Sequence, residues 1–251
     1  MITRRLATAA ALGVLAVAGL AGCRSEPTVA AYVGDHSYKT EEVERIYDQV
    51  RTARSLSPSP DATPSPGAQP QPAAPVSRQQ VLSALVGRDL AMATAAAKGV
   101  EPDAETISQL RTFLSQQFGI PADTEYIKVF SEYVAHVEAL VGQKTATSPS
   151  DADLQLVLDR LVQAGLAEPT SLDEARAGLG ANNLGLIARY SEVRNDLAAQ
   201  ASKDNVVINP RYAPAELNVL ELTSQDGQRY PLVTVPLDAD TGAPVVVDQS
   251  H

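Results

Sequence analysis

The sequence predicts a mainly helical body, closed by one short strand from each end of the chain. Three observations predict it. Apolar residues recur at helical spacing from about residue 40 to residue 200, set between residues that cap helices and residues that stop them. Two short β-branched runs, at 29–33 and 206–208, bracket that region. Alanine is abundant, tryptophan is absent and aromatic residues make up only 4% of the chain, a composition suited to long helices.

In order, Thr28-Val29-Ala30-Ala31-Tyr32-Val33-Gly34 predicts a strand ended by a turn at Gly34-Asp35. Thr40 then offers an N-cap, with Glu41 and Glu42 where a helix start favours carboxylates. Val43, Ile46, Tyr47 and Val50 make one stripe on a helix of about four turns. From Leu56 to Val76 the pattern collapses, and seven of the seventeen prolines fall there among Ser, Ala, Gln and Thr. So little apolar surface cannot offset the entropy of ordering, so residues 55–76 are expected to be a disordered loop between two helices. Its two uses would be as a spacer or as a proline-recognition ligand.

Ser77 caps a second helix carrying Val81, Leu82, Leu85, Leu90 and Met92 to Lys98, with Gly99 as its stop. Asp103 and Glu105 open a third, with Ile107, Leu110 and Leu114 on one face. A fourth starts at about Ala122 and sets Ile127, Phe130, Val134, Val137 and Val141 on a stripe. Ser150-Asp151 opens a fifth with Leu154, Val157, Leu158 and Leu161, closed at Gly165. A short helix over 173–177 and a long one from Asn182 or Asn183 follow, parted at Gly178-Leu179-Gly180. In the long one Leu186, Ile187, Tyr190, Val193 and Leu197 face inward. Val206-Val207-Ile208 is a strand cut off by Pro210. Beyond Tyr212, the runs 217–222, 232–235 and 245–247 have strand character, but prolines at 231, 236 and 244 blunt them. Residues 213–251 are therefore expected to be a tail of short strands or loose chain, the loose chain being favoured.

The start of the chain carries its address. Met1-Ile2-Thr3-Arg4-Arg5 is positive and free of acids, and residues 6–20 are an apolar run too short to span a bilayer comfortably. Leu20-Ala21-Gly22-Cys23 resembles the lipobox of bacterial lipoproteins, which implies cleavage before Cys23 and acylation of its thiol. Residues 1–22 are then a lipoprotein signal peptide, and the mature chain is tethered to the extracytoplasmic face of the cell membrane through Cys23. Two or more acyl chains anchor firmly at about 0.8 kcal/mol per buried methylene. Removing residues 1–22 takes away two arginines, so the net charge moves from −10 to −12. That acidity argues against nucleic acid as a partner. The single cysteine, committed to lipid, leaves no disulfide and no thiolate metal cluster. So few aromatic residues also argue against an aromatic-lined sugar or cofactor pocket, and no cofactor is expected.

The stretch RQQVLSALVGRDLAMATAAAKGVEPDAETISQLRTFL, residues 78–114, resembles the N-terminal chaperone domain of the periplasmic foldase family, the SurA-like and PrsA-like proteins. It shares a Val-Leu-x-x-Leu-Val helix, an Ala-Lys-Gly helix end and a Pro-Asp-Ala-Glu opening. AAYVGDHSY stands where that family has its first strand and turn, and residues 150–179 resemble a later helix pair. The resemblance covers roughly residues 28–210. It implies a helical module over 23–212 that holds unfolded or exported client chains in an apolar concavity, its first strand paired with one after the last long helix. Full members carry a parvulin-type isomerase domain, for which no room is found here, so isomerase activity is not implied.

No catalytic constellation can be assembled. His36, His136 and His251 lack partners at metal-ligand spacing, and no Gly-x-Ser-x-Gly elbow is present. Gly178-Leu179-Gly180 lacks the strand and lysine of a phosphate loop, so no nucleotide partner is expected. Asp238-Ala239-Asp240-Thr241-Gly242 is too short for a calcium loop and lacks its distal glutamate. Asp89 interrupts an apolar helix face and, if buried, needs an arginine or a backbone donor. Tyr47, Tyr126, Tyr133 and Tyr190 sit at core-edge positions, where they could either line a client groove or pack with satisfied hydroxyls. The expected function is an ATP-independent holdase for exported proteins. The alternative is a non-enzymatic docking or scaffold lipoprotein for one specific partner.

Overall fold

A computed structural model describes residues 27–56, 76–224 and 228–237, and the chain is mainly helical with two small antiparallel sheets. Cys23 and the signal segment, the proline-rich residues 57–75, the 238–242 loop, the 245–247 run and His251 lie outside the described residues.

Strand β1 (Val29–Val33) turns at Gly34, whose φ of 57° suits a residue without Cβ, and returns as β2 (His36–Lys39). The sequence had shown only the turn. The alternation His36-Ser37-Tyr38-Lys39, with Tyr38 alone buried, is too short a signal to identify a strand. On its other edge β1 pairs antiparallel with β3 (Val207–Ile208), in the register Ala31 to Ile208 and Tyr32 to Val207. The two ends of the helical region are thus joined as expected. The Asn209 amide reinforces the join by donating to the Val29 carbonyl at 2.8 Å.

Helix α1 (Thr40–Leu56) reaches two residues into the stretch that composition assigns to the loop. Helix α2 (Arg78–Ala97) begins with a capping box, in which the Ser77 hydroxyl accepts from the Gln80 N–H and the Gln80 side chain accepts from the Ser77 N–H. Its large apolar residues turn inward except Met92, which is 44% exposed. Helix α3 (Ala104–Phe118) is capped by Asp103 and ends at Gly119 in the left-handed conformation. Helix α4 (Glu125–Gly142) starts three residues later than expected, because the Thr124 hydroxyl bonds back to the Pro121 carbonyl instead of capping. Helix α5 (Asp151–Gln163) follows the Ser150 cap and stops at Gly165. The last two expected helices form one element, α6 (Leu172–Lys203), broken at Gly180, where φ is 71° and ψ is 164°.

The largest departure is at the C-terminal end. Of the two alternatives for residues 213–251 the less favoured one holds for the described part, where the runs 217–222 and 232–235 lie in a hairpin, β4 (Glu216–Thr223) and β5 (Arg229–Pro236). Proline is tolerated because each strand of a two-stranded sheet keeps one edge free of ladder bonds. An isolated hairpin is marginal in water, so this one holds by packing. β5 lies against α5 and α6, and β4 against α2 and α6. Leu217, Val219, Leu232, Val233, Val235 and Leu237 belong to the same buried cluster as Leu82, Leu90, Ile127, Leu140 and Leu197. Arg160 of α5 ties the hairpin down, donating to the Pro231 carbonyl at 3.2 Å and the Thr234 hydroxyl at 2.7 Å.

A cleft between two helices and the C-terminal hairpin

Where β4 meets α2 and α4, packing leaves a cleft of about 400 Å³. Gln79, Gln80, Ser83 and Ala84 from the first turns of α2 form one wall. Pro214, Glu216, Leu217, Asn218, Glu221 and Arg229 form the opposite one, and Tyr126, Phe130 and Tyr133 of α4 form the floor. The spacing along α4 puts these three rings on adjoining faces, one turn or less apart.

The floor is an aromatic cluster. Tyr126 and Phe130 stack with planes 6° apart and centroids at 5.7 Å, and Phe118 meets both edge-on at 5.8 and 5.7 Å. The Arg229 guanidinium lies 4.4 Å from the Phe118 centroid, a cation–π contact. Composition had argued against an aromatic-lined pocket. The rings are few, but folding gathers four of them in one place, which an average over the chain cannot show. Gly87 makes the close approach possible. A Cβ there would meet the Tyr133 ring at 3.0 Å and Leu217 Cδ2 at 3.1 Å.

The polar groups of the hairpin wall are paired to one another. Arg229 Nη1 and Glu221 Oε2 are 3.4 Å apart, and the Asn218 amide donates to Glu221 Oε1 at 2.6 Å. The Tyr133 hydroxyl donates to the Asn218 carbonyl at 2.8 Å, holding strand to helix. Burial pushes the Tyr126 and Tyr133 hydroxyls well above their ordinary ionisation range, with the Glu221 charge adding to it at Tyr133 and the Arg229 charge partly opposing it at Tyr126. Both tyrosines stay neutral at any physiological pH.

Of the four tyrosines singled out in the sequence, the structure brings two together here. Tyr47 lies in a separate depression of about 430 Å³, with Glu44, Ser77, Arg78, Arg211 and Tyr212, where the Arg78 guanidinium sits 4.1 Å from its ring. Tyr190 lines neither. Its hydroxyl donates to Glu138 at 2.5 Å, and it serves the packing of α6 on α4. Sequence reasoning missed Phe130, counted there as core, and the whole hairpin wall. The one available signal was the helical spacing of Phe130 between Tyr126 and Tyr133.

The other residues weighed in the sequence are structural. Asp89 finds its arginine next door in Arg88 and also accepts from the Tyr38 hydroxyl at 2.5 Å, which fastens β2 to α2. His136 donates to the Glu132 carbonyl within its own helix, and His36 packs edge-on to Tyr38. Among the described residues no group of three His, Cys, Asp or Glu is placed to hold a metal, and no helix is long and apolar enough to cross a membrane. Chemically the cleft offers one partly exposed ring, Phe130, with side-chain amides, a hydroxyl and the charged Glu216, Glu221 and Arg229, a lining suited to binding an extended segment of chain. No family model, curated protein or solved structure matches this chain.

Proposed function

We propose that this chain is a lipid-anchored, extracytoplasmic protein that holds unfolded exported polypeptides without ATP and without isomerase chemistry. The observation that carries the binding reading is the cleft, where an aromatic floor and amide-bearing walls meet at an open surface. Rings and amides suit main-chain and apolar contacts common to many client sequences. The resemblance to the foldase chaperone domain supports the same reading, as does the pairing of the two chain ends that it implies. Anchoring rests on Arg4-Arg5, the apolar run and Leu20-Ala21-Gly22-Cys23. A net charge of −12 after cleavage favours neutral or basic clients.

Several denatured clients should be protected from aggregation at near-stoichiometric ratios, equally with and without ATP, and proline isomerisation should not be accelerated. Phe130→Ser should lower that protection several-fold. No protection of any client overturns the holdase. For the anchor, Cys23→Ala should move the protein from the membrane to the soluble fraction or leave it unprocessed, and membrane retention with normal processing overturns that part.

One observation favours the alternative, a docking lipoprotein with a single partner. The exposed large apolar side chains Met92, Phe113, Leu156, Leu166, Val207 and Leu222 are dispersed over separate elements rather than gathered in one concavity. A cleft of about 400 Å³ then accommodates one short segment. Co-purification of one stoichiometric partner from membranes, with no protection of unrelated clients, decides for it.

A further inference from the structure

Resting on the reading of the cleft as a polypeptide-binding site, we infer that its resident ligand is a segment of this same chain, the proline-rich stretch 57–75. Three observations lead there. The first is where the segment ends. Residue 75 joins Val76, which is buried, and Gln79 and Gln80 of the cleft wall follow within roughly 6 Å of helix rise. Gln79 also borders the second depression, which Ser77 lines, so the chain enters α2 at the rim of both.

The second is length. Nineteen residues separate Leu56 from Val76, and an extended proline-rich chain covers about 3.1 Å per residue, or roughly 60 Å in all. That is ample to cross the cleft and return to α1.

The third is chemistry. All seven prolines between Leu56 and Val76 lie in this stretch, including Pro72-Ala73-Ala74-Pro75, and a three-residue spacing is the one that shares a face when a ligand binds as a polyproline helix. Such ligands lay proline rings on aromatic faces and offer unpaired carbonyls to side-chain donors. Phe130 supplies the partly exposed ring. Gln80 turns its oxygen to the Ser77 N–H, which leaves its amide NH2 as the donor end, and Gln79 and Ser83 stand beside it. Covalent attachment supplies an effective concentration in the millimolar range, so even a weak ligand occupies its own site and a client must displace it.

The test uses residues 23–251 expressed without the signal segment and carrying Cys23→Ala, and a second such chain in which residues 57–75 are replaced by a Gly/Ser linker of equal length. A fluorescent peptide of residues 57–76 is titrated into each. It should bind the linker chain at least tenfold more tightly than the intact chain, in which the tethered copy competes. Phe130→Ser, and the milder Gln79→Ala, should weaken binding to the linker chain at least fivefold while thermal melts show both still folded. A peptide with its seven prolines changed to serine should not bind. Equal binding to both chains, or to neither, overturns the inference. So does peptide binding uncovered by removing residues 238–251 with 57–75 left in place, which assigns the site to the C-terminal segment. A dimer in the intact chain that occupies the cleft overturns it too. Loss of peptide binding with client protection retained sinks only this inference, whereas absent protection with intact peptide binding sinks only the holdase.

Discussion

The two small sheets share the main core but are fastened to it differently. The β2–β1–β3 sheet buries Ala30, Ala31, Val33, Tyr38 and Ile208 in the main core and adds polar ties to that burial. Its two-residue β3 is bound by the ladder, by Asn209 to Val29, and by the Gly34 N–H to the Asp204 carbonyl, while Tyr38 bonds Asp89. The β4–β5 hairpin has the longer ladder but is held chiefly by burying one face of β4 and four consecutive residues of β5 in the main core. A strand can thus be secured by what it bonds or by what it covers. The hairpin, set against the first turns of α2 and the aromatic residues of α4, supplies one wall of the cleft.

The comparison breaks most completely if the hairpin is removed. A chain ending at Ala213 exposes the core faces of α2, α4 and α6 and loses six buried side chains worth about 1.5–3 kcal/mol each. That total of about 9–18 kcal/mol matches or exceeds the roughly 5–15 kcal/mol net stability of an ordinary domain, so no cooperative thermal transition should remain. A retained sharp melt would show the hairpin to be peripheral after all.

Single truncations should rank the two sheets. Leu217→Ala, at a position 1% exposed and packed beside Gly87, should cost about 2–5 kcal/mol in urea unfolding. Ile208→Ala, at 8% exposed on a two-residue strand, should cost less. The reverse order would deny that the hairpin is the more deeply embedded element. From the helix side, Gly87→Val should cost about 1–3 kcal/mol by overpacking against Tyr133 and Leu217.

Tyr38→Phe tests the polar fastening. A hydrogen bond to a charged group is worth about 1.5–3 kcal/mol, and the loss should appear in urea midpoints while the hairpin keeps its amide-exchange protection. Alkaline pH probes both sheets together. Burial raises the ionisation of Tyr38, Tyr126, Tyr133 and Tyr190 above the ordinary value near 10. Above that pH the unfolded chain binds fewer protons than the folded one, so stability should fall as pH rises, by about 1.4 kcal/mol per pH unit for each group. Below pH 9 these groups contribute no slope. Absorbance at 295 nm should show these four tyrosines ionising only with unfolding, with Tyr212 also raised by burial, and titration of all eight near pH 10 in folded protein would contradict the packing.

The smallest effect belongs to Arg45, whose ion pair with Glu125 links α1 to α4 at the surface. Arg45→Ala should change stability by less than about 1 kcal/mol, because exposed pairs are screened by water and salt.

What the sequence determined by itself was everything that neighbours along the chain decide. Ser77, Asp103, Ser150 and Ser171 cap their own next turn, Gly99, Gly119 and Gly165 stop the turn before them, and Gly180 breaks the last helix. These are interactions over three or four residues, so a local pattern contains them whole. The pairing of Val29–Val33 with Val207–Ile208 was legible too, because neither run is stable alone and the helices between them bring the ends together. Tertiary structure decided the rest. Prolines at 231 and 236 argue against a strand locally, and only the cover of α5 and α6 makes one there. Tyr126 and Tyr190 occupy similar core-edge positions on their helices, yet one floors a cleft and the other bonds Glu138. Their difference lies in what packs opposite, and the hairpin that faces Tyr126 is about ninety residues away along the chain.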